Sequence, residues 1–581
     1  MDQRHGGSFL IRDFIPAEIF VPEDFTAEDL LIGKTASDFL RTEALPNVER
    51  IEQGDHELMA GLMRSAGALG LLAADVPAVY GGLELSQPVS ALIAEKINWQ
   101  QSFALTHEAH TVIGTLPLLF FGNHDQKSRY LPKLASGEWI ASFALSEASS
   151  GSDALAAQTR ATLSSDGSRY LLNGVKMWIT NTAFAQLFTV FARVDGERFT
   201  AFLVERDSPG LSFGKEERKL GMHGTSTRRV IMENTPVPIA NAMEVGKGQY
   251  AAFCALNLGR FKLEAGAVGG LKETLAVCAR YSSQRKAFGK TIAEFGLIRH
   301  KLAEMAARTF ALESMVYRLA GDLQGVFSGI AADAPDASRN FHRAAEEYAI
   351  ECNIVKVIGS ETYSAMTDEA IQIHGGYGYT EEFPVARAWR DQRLLRIGEG
   401  ANEIVRLAIV NTLLRRRREN RLDLDTATAR AHAAIDGATA AGPANALESA
   451  ALQTRRAGLL LLSAAETSLG DSLMESQEIV AAIADVLAGA YALQSMWLRC
   501  ARLSDAGHAH SAAALMAGMV SGYDLTTDAA RSAAFLRDAA IPAAGELATL
   551  LDDTARRFGN PVSLRRELAA EALSKGCYPL N

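Results

Sequence analysis

The hydrophobic period changes twice along this chain, and this change limits the possible folds more than any single motif. From 24 to 139 apolar residues recur at helical intervals, and from 140 to 244 the spacing becomes that of strands. After 248 the helical period returns. One helix face there is formed by Leu302, Met305, Thr309, Leu312, Val316 and Leu319. We therefore predict a mainly α protein with a central β domain.

The strand-like region carries one specific turn signal. Its segment 170–177 consists of two short runs joined by Asn173-Gly174, which predicts a β-hairpin. Further strands are predicted at 188–194 and 199–204.

The length and the composition indicate several domains. A chain of 581 residues exceeds a single core. We predict an N-terminal helical domain at 1–139, a middle β domain at 140–246, a helical catalytic domain at 247–420 and a C-terminal helical extension at 421–581. The run 415–418 is four arginines, interpreted as a solvated helix end, with a phosphate or membrane contact as the alternative.

Charge and cysteine usage exclude several classes of function. A net charge of -10 argues against nucleic acid as a partner. The five cysteines are scattered, with neither metal spacing nor a disulfide framework. The segment 1–20 has no signal-peptide pattern, and no uninterrupted apolar run is long enough to cross a bilayer. We therefore expect a soluble cytoplasmic protein.

A carboxylate between two glycines is the strongest chemical signal. Glu399 stands between Gly398 and Gly400, after an arginine-rich segment and before a helical pattern. Glycine neighbours let a ligand approach closely, and burial would raise the pKa of the carboxyl toward that of a general base. Most such triplets are solvated turns, so the prediction needs support from the rest of the chain.

Other motif matches fail on their context. The segment 210–214 fits a nucleophile-elbow pattern but lies among strands, where a turn is expected. His107 and His110 are three residues apart instead of the four that a zinc-protease helix requires, so no metal site is predicted. The glycines at 375–378 lack the preceding strand of a dinucleotide-binding turn.

Five ordered blocks supply the support for Glu399. They are 146–153 (SEASSGSD), 176–181 (KMWITN), 285–290 (RKAFGK), 372–378 (QIHGGYG) and 396–403 (RIGEGANE). Together they resemble the acyl-CoA dehydrogenase family of flavoenzymes, and the similarity runs from about 24 to 418. The resemblance implies a helical N-terminal domain, a β-barrel-like middle domain and a helical bundle, to which this chain adds a C-terminal helical domain.

The resemblance also implies FAD as the cofactor. The positions that match the family's flavin contacts are Phe143, Leu145, Ser146, Gly151, Ser152, Trp178, Ile179, Thr180, Arg285, Phe288, Gln372, Gly375, Gly376, Ala401 and Glu403. Trp178 would offer a flat apolar face to the ring, although it could equally be the core of a strand. Arg285 would reach the pyrophosphate across a dimer interface. Gly375 and Gly376 could instead be a helix-terminating turn.

The resemblance gives Glu399 the role of catalytic base. It would remove the α-proton of an acyl-CoA thioester while the β-carbon gives a hydride to FAD, which yields trans-2-enoyl-CoA. Ser152, Asn257, Arg260 and Gly400 match substrate contacts. Arg260 could instead form a surface ion pair with Glu264, where an apolar residue is expected. Some family members carry their base next to this arginine, and here that position is Gly259.

The C-terminal extension and the segments 257–261 and 295–298 look most like the very-long-chain branch, which is dimeric. We therefore expect a homodimer that oxidises long-chain acyl-CoA in fatty acid β-oxidation and passes electrons to electron-transferring flavoprotein. A peripheral membrane contact has no support in the sequence. The alternatives are an oxidase that uses oxygen and a non-catalytic scaffold protein.

Overall fold

The computed structural model describes residues 5–436 and 445–581. Its first region is helical and contains α1 (Ser8–Ile11), α2 (Ala27–Phe39), α3 (Val48–Glu52), α4 (His56–Ala68), α5 (Gln87–Ile97), α6 (Gln101–Glu108), α7 (Leu116–Phe121) and α8 (His124–Ser136). Capping fixes several of these starts. The Asn123 side chain accepts from the N–H of Gln126, whose own side chain accepts from the N–H of Asn123, and this reciprocal pair begins α8. A π-helical turn, Ala109–Gly114, separates α6 from α7.

The second region is a seven-stranded sheet. Its strands are β1 (Ala141–Ala144), β2 (Arg160–Leu163), β3 (Arg169–Thr180), β4 (Leu187–Val194), β5 (Arg198–Glu205), β6 (Leu211–Phe213) and β7 (Thr227–Pro238). The order is β1-β4-β2-β3-β7-β6, with β5 paired to β4. The strands predicted at 188–194 and 199–204 are confirmed as β4 and β5. Strand β4, which pairs with β1, β2 and β5, and its partner β5 are buried along almost their whole length, so the sheet has its own core.

The hairpin predicted at Asn173-Gly174 is wrong. Both residues lie inside β3, which is one continuous strand with a register shift against β7 between Leu172 and Gly174. Asn173 exchanges hydrogen bonds with Asn234 on β7, at 3.0 and 2.8 Å. Gly174 has φ +155° and lies so close to Thr159 that a Cβ would be 2.4 Å from its Oγ1. The glycine therefore marks a bulge and a close backbone approach instead of a turn.

The third region returns to helix. It contains α9 (Gly248–Gln284), α10 (Gly296–Phe327), α11 (Ala337–Glu347), α12 (Ala349–His374), α13 (Pro384–Gln392) and α14 (Asn402–Arg418), with a small hairpin of β8 (Lys286–Ala287) and β9 (Lys290–Thr291). The stripe from Leu302 to Leu319 is confirmed as core, because each of its six residues is at most 1% exposed. The long helices α9, α10 and α12 pack on one another and form the centre of the molecule.

The C-terminal extension is a further helical layer that shares the core of the third region. It contains α15 (Leu424–Asp436), α16 (Ala446–Leu469), α17 (Gln477–Asp505), α18 (Ser511–Asp538), α19 (Ala544–Arg556) and α20 (Pro561–Lys575). Helices α17, α18 and α20 pack against α10, and α17 also packs against α14. The predicted fold class, helical domains around a central β domain with added C-terminal helices, is therefore confirmed.

A buried polar group, here called the interdomain cluster, joins this extension to the rest of the chain. It consists of Glu23, Glu95, Lys272, Glu313, Tyr317, Arg499 and Tyr578. Lys272 pairs with Glu313 at 2.5 Å and with Glu95 at 2.9 Å. Arg499, on α17, bridges Glu313 and Glu23, each at 2.7 Å. Each carboxylate of the cluster thus has a cationic partner, as buried charges require.

The arginine run at 415–418 is a solvated helix end only in part, because Arg418 is exposed whereas Arg416 is buried. Arg416 is 1% exposed and donates to the carbonyls of Gly6 and Glu346. Arg415 pairs with Glu346, and Arg417 with Glu466 and Asp425. These side chains tie α14 to the N-terminal segment, to α11 and to the extension.

One helix in the described part of the chain is long and apolar enough to cross a membrane. It is α17, in which Asp485 and Arg499 interrupt the apolar sequence, so it does not contradict the prediction that no uninterrupted apolar run is long enough to cross a bilayer. Most of its apolar segment is buried inside the protein, as in a core helix.

Candidate active site

Glu399 lies in the loop between a 3₁₀ turn, Arg393–Arg396, and the start of α14. Its φ is +56°, a left-handed conformation that is uncommon for a residue with a side chain, and Gly400 follows at φ +105°. The Oε2 atom is buried and has no hydrogen-bond partner. Strained backbone and an unpaired buried carboxylate are both features that fold stability alone does not favour, and they are typical of functional sites.

Two cations hold the loop by its backbone. Arg260, on α9, donates through Nε to the carbonyl of Glu399 at 2.8 Å, and Lys356, on α12, donates through Nζ to the carbonyl of Gly400 at 2.6 Å. Burial raises the pKa of Glu399 to about 7, whereas Arg260 and Lys356 act to lower it. The carboxyl can therefore exchange a proton near neutral pH, as a general base must.

The ion pair considered between Arg260 and Glu264 does not form. Arg260 is committed to the Glu399 carbonyl and to the side chains of Asn257 and Asn353, at 3.0 and 2.8 Å. Glu264 is fully buried and neither of its oxygens is hydrogen bonded. The structure thus brings Arg260, Asn257 and Gly400 together around the base, where Arg260 supports the loop, and their contacts with a substrate stay predictions.

Helix α9 presents small residues to the space in front of Glu399. A Cβ on Gly259 would lie 3.1 Å from Glu399 Oε2 and 3.4 Å from Ile113. Gly259 therefore leaves the room that the Glu399 carboxylate occupies. No second acid stands at this position, so Glu399 has no rival base there.

Further along the same helix, a second carboxylate was missed by the sequence analysis. A Cβ on Gly266 would lie 3.2 Å from Glu108 Oε1 and 2.6 Å from the Asn98 amide nitrogen. Glu108 is 6% exposed, its Oε1 has no hydrogen-bond partner, and burial raises its pKa to about 8. The available signal was a lone glutamate within a helix of otherwise buried residues, which we read only as part of a failed zinc motif.

The two histidines of that motif have structural partners. His107 Nε2 lies 2.9 Å from the carbonyl of Leu71. His110 lies 3.1 Å from the carbonyl of Leu134, and its Nδ1 accepts from the N–H of Ala141 at 2.9 Å. Across residues 5–436 and 445–581, no group of three or more His, Cys, Asp or Glu side chains is arranged to hold a metal ion.

The predicted flavin residues of the β region lie together. The loop that follows β1 and carries Ser146, Gly151 and Ser152 is tied to β3, because the N–H of Met177 donates to the carbonyl of Ser146 at 2.9 Å. Phe143, Leu145 and Ile179 are buried below it, and Thr180 is partly exposed. Trp178 is 55% exposed and has φ +58°, so it is not the core of a strand, which was the alternative considered.

A second group of predicted flavin residues lies at the ends of α9 and α12. The Arg285 guanidinium stands 5.7 Å from the centre of the Tyr377 ring, which places it beside the 375–378 turn. Gly375 has φ +61°, and neither Gly375 nor Gly376 has an atom within 4 Å of an added Cβ. Phe288 is 95% exposed and Gln372 is also exposed. Ala401 and Glu403 begin α14, directly after the base.

Comparison with known proteins gives consistent matches. The models described as the N-terminal, middle and C-terminal domains of acyl-CoA dehydrogenase match residues 26–138, 142–235 and 246–414. A probable acyl-CoA dehydrogenase of Bacillus subtilis (strain 168) is 42% identical over 517 residues, which are 88% of this chain and 87% of that protein. The human mitochondrial very long-chain specific acyl-CoA dehydrogenase is 38% identical over 358 residues, 60% of this chain and 52% of that protein.

Among solved structures, the acyl-CoA dehydrogenase from Bacillus anthracis complexed with FAD has a TM-score of 0.94 at 39% identity, and the match covers 99% of this chain and 100% of that one. The similarity therefore includes the C-terminal helices as well as the three matched domains.

Proposed function

Since this chain belongs to the acyl-CoA dehydrogenase family, we propose that it removes two hydrogens from the α and β carbons of a fatty acyl-CoA and releases the trans-2-enoyl-CoA. It is an oxidoreductase that acts on CH–CH bonds. The observation that carries the proposal is the unpaired Oε2 of Glu399, whose carboxyl has a pKa of about 7. Two cations, Arg260 and Lys356, hold the backbone of its loop.

The chemistry of this chain's own residues centres on proton removal. Glu399 accepts the α-proton through Oε2, and, as the family resemblance implies, its backbone N–H donates to the thioester oxygen, which gains charge as the proton leaves. Gly259, on α9, gives the Glu399 carboxylate the space that it occupies. Exclusion of water by the bound acyl chain keeps the carboxylate basic.

The residues present fit FAD as the cofactor. Trp178, Phe288 and Tyr377 expose aromatic surface, and Gly375 and Gly376 leave open backbone beside the Arg285 guanidinium. Aromatic faces suit a flavin ring, and an arginine beside bare backbone suits a pyrophosphate. When bound, FAD supplies the acceptor for the hydride that leaves the β-carbon.

The acyl chain length is open to two proposals. The C-terminal extension resembles the very-long-chain branch, which favours long-chain acyl-CoA. Glu108 and Asn98 favour a second candidate, a medium-length straight chain. Both contact α9 at Gly266, which lies seven residues beyond Gly259 and hence about 10 Å from the base along the helix. Polar side chains at the end of the acyl pocket, here called the Glu108 floor, would prevent a longer apolar chain from binding.

The physiological setting is proposed on the resemblance. We expect a role in fatty acid β-oxidation in the cytoplasm, with electron-transferring flavoprotein as the acceptor. A homodimer is supported by Phe288, Leu297 and Tyr379, which are 95%, 80% and 88% exposed and would be covered by a second copy. No described feature supports a peripheral membrane contact.

Anaerobic titration with a panel of acyl-CoAs tests the proposal directly. The purified protein should be yellow, and its flavin should bleach with straight-chain substrates, most strongly at the preferred length. Maximal bleaching between about eight and ten carbons would favour the Glu108 floor, and maximal bleaching above fourteen would favour the long-chain proposal. A flavin that no acyl-CoA bleaches would indicate a non-catalytic relative, whereas rapid hydrogen peroxide formation in air would indicate an oxidase.

A further inference from the structure

A buried lysine stands directly behind the loop that carries the base. Lys356 is fully buried on α12, and its Nζ donates to the carbonyl of Gly400 at 2.6 Å and to Asn402 Oδ1 at 2.5 Å. These acceptors are the first and the third residue after Glu399. Asn402 is itself fixed by Ser360, whose hydroxyl accepts from its amide at 3.0 Å. Lys356 therefore restrains the backbone on the C-terminal side of the base, one peptide beyond the carbonyl that Arg260 holds.

A buried carboxylate faces this lysine from the neighbouring helix. Glu264, on α9, lies against the backbone of Gly359, where a Cβ would stand 2.0 Å from its Oε2. Gly359 follows Lys356 by three residues, about one helical turn. A glycine on α12 thus makes the space that the Glu264 carboxylate fills. Burial raises the pKa of Glu264 well above its ordinary value, so this carboxyl is protonated and uncharged near neutral pH.

We propose that Lys356 is a positioning residue for the catalytic base. The inference rests on the proposed role of Glu399. Lys356 acts through the backbone: its charged donor holds the Gly400 carbonyl, and this fixes the left-handed conformation that directs the Glu399 carboxylate. It touches neither the substrate nor the reacting atoms.

The charged groups around Lys356 determine how its protonation, and with it turnover, depends on pH. Arg260 and Glu264 face it from α9, Glu399 from the loop and Glu361 from α12, while Glu108, on α6, faces Glu264. Burial lowers the pKa of Lys356 to about 8; Arg260 lowers it further, and Glu399 and Glu361 act in the opposite direction, whereas the Glu264 carboxyl is uncharged near neutral pH. Turnover should therefore rise as Glu399 loses its proton near pH 7 and fall as Lys356 loses its proton near pH 8.

Three variants of the FAD-loaded enzyme test the inference, with kcat and KM measured from pH 6 to 9.5. Lys356→Met should lower kcat by about 10- to 100-fold with KM nearly unchanged, because a misplaced base impairs the chemical step. Its alkaline limb should disappear. Its acid limb should move to higher pH, because a cation near Glu399 is lost. Lys356→Arg should restore most of kcat and also lack the alkaline limb, since a guanidinium stays charged.

Glu264→Gln, the third variant, tests whether the alkaline limb belongs to Lys356 itself. Burial already keeps the Glu264 carboxyl uncharged near neutral pH, so the amide should leave the alkaline limb in place. Lys127→Met is the matched control. Lys127 is also a buried lysine that donates to a backbone carbonyl, that of Ala332 at 2.8 Å, but it lies on α8. This control should leave both limbs in place.

An alkaline limb that survives in both Lys356→Met and Lys356→Arg would overturn the positioning role. An alkaline limb that moves in Glu264→Gln or in Lys127→Met would overturn its assignment to Lys356. If Lys356→Met fails to retain FAD, the arginine variant decides the matter by the same readouts. Failure of the proposed function would look different, because the wild-type flavin itself would then not bleach with any acyl-CoA.

Discussion

The loop around Glu399 and the interdomain cluster both bury carboxylates, but they treat them in opposite ways. In the cluster, burial alone would raise the pKa of Glu313, yet Lys272 and Arg499 hold it below its usual value. At the loop, Arg260 and Lys356 donate to backbone carbonyls instead of to the carboxylate. The Glu399 carboxylate therefore stays unpaired, and burial raises its pKa to about 7. Cations that contact a carboxylate stabilise the fold, whereas cations that contact its backbone leave it reactive.

The same contrast extends to the neighbours of each group. The carboxylates of the cluster have Tyr317 and Tyr578 as additional donors, at 2.6 and 2.9 Å. Around Glu399, the nearby acids Glu264 and Glu108 both keep buried oxygens without partners. Incomplete satisfaction of buried polar groups lowers stability, so the surroundings of Glu399 cost stability that the cluster does not.

The largest expected effect is on turnover. Glu399→Gln keeps the size of the side chain but cannot accept the α-proton, so kcat should fall by several orders of magnitude, about 10⁴-fold or more, while FAD content stays unchanged. Stopped-flow reduction of the flavin measures the chemical step directly. Glu313→Gln, at the other region, should keep the kcat of the folded protein. Wild-type turnover in Glu399→Gln would remove Glu399 from the role of base.

The second effect is on stability and is expected at the interdomain cluster instead of at the active-site loop. Glu313→Gln removes the charge between Lys272 and Arg499 and leaves two buried cations without it, so the free energy of unfolding should fall by about 3 to 5 kcal/mol. Chemical denaturation of the FAD-loaded protein measures this. Glu546→Gln, an exposed change on α19, is the control and should stay within about 0.5 kcal/mol of wild type. Equal stabilities for the two variants would mean that the cluster does not hold the extension in place.

The third effect is a gain in stability at the active site. The pKa of Glu399 is about 7 in the folded protein, above its ordinary value of 4.5, so folding favours the protonated form. The unfolded chain loses this proton at lower pH, and stability therefore falls as the pH rises from about 4.5 through 7 and stays lowered above it. Glu399→Gln should match wild type near pH 5 and exceed it by about 2 to 3 kcal/mol at pH 8. A difference that does not depend on pH would show that the carboxyl is not destabilised by burial.

Local patterns predicted much of this architecture, and long-range contacts account for what they missed. The stripe from Leu302 to Leu319 was predictable because helical periodicity reports directly on which face is buried. The Asn173-Gly174 turn failed because its glycine is required by contact with Thr159, a residue distant along the chain. The order of the motifs predicted Glu399, but no motif predicts the geometry around it. Lys356 and Glu264 become neighbours only when α9 and α12 pack together.

The arginine run at 415–418 is a second case in which long-range contacts decided the environment of a residue. Its composition indicated a solvated helix end, but Arg416 is enclosed by the N-terminal segment and by α11. Nothing in the run itself names Gly6 or Glu346 as partners. Glu108 was likewise overlooked because its environment is built by Gly266 and Asn98 from other helices.

The smallest effect tests the open side of the active-site loop. Many family members have an aromatic residue at Gly398, and here a Cβ would meet only Leu394, at 3.6 Å from its carbonyl oxygen and 3.8 Å from its Cγ. A ring should therefore fit at the backbone and occupy acyl space. Gly398→Phe should lower kcat/KM for bulky or branched acyl-CoAs by roughly 1 to 3 kcal/mol and spare straight chains. Gly398→Ala, which adds only the Cβ, is the control for backbone stiffening. Equal losses for straight and branched substrates in both variants would show that glycine serves the mobility of the Glu399 loop and not the width of the pocket.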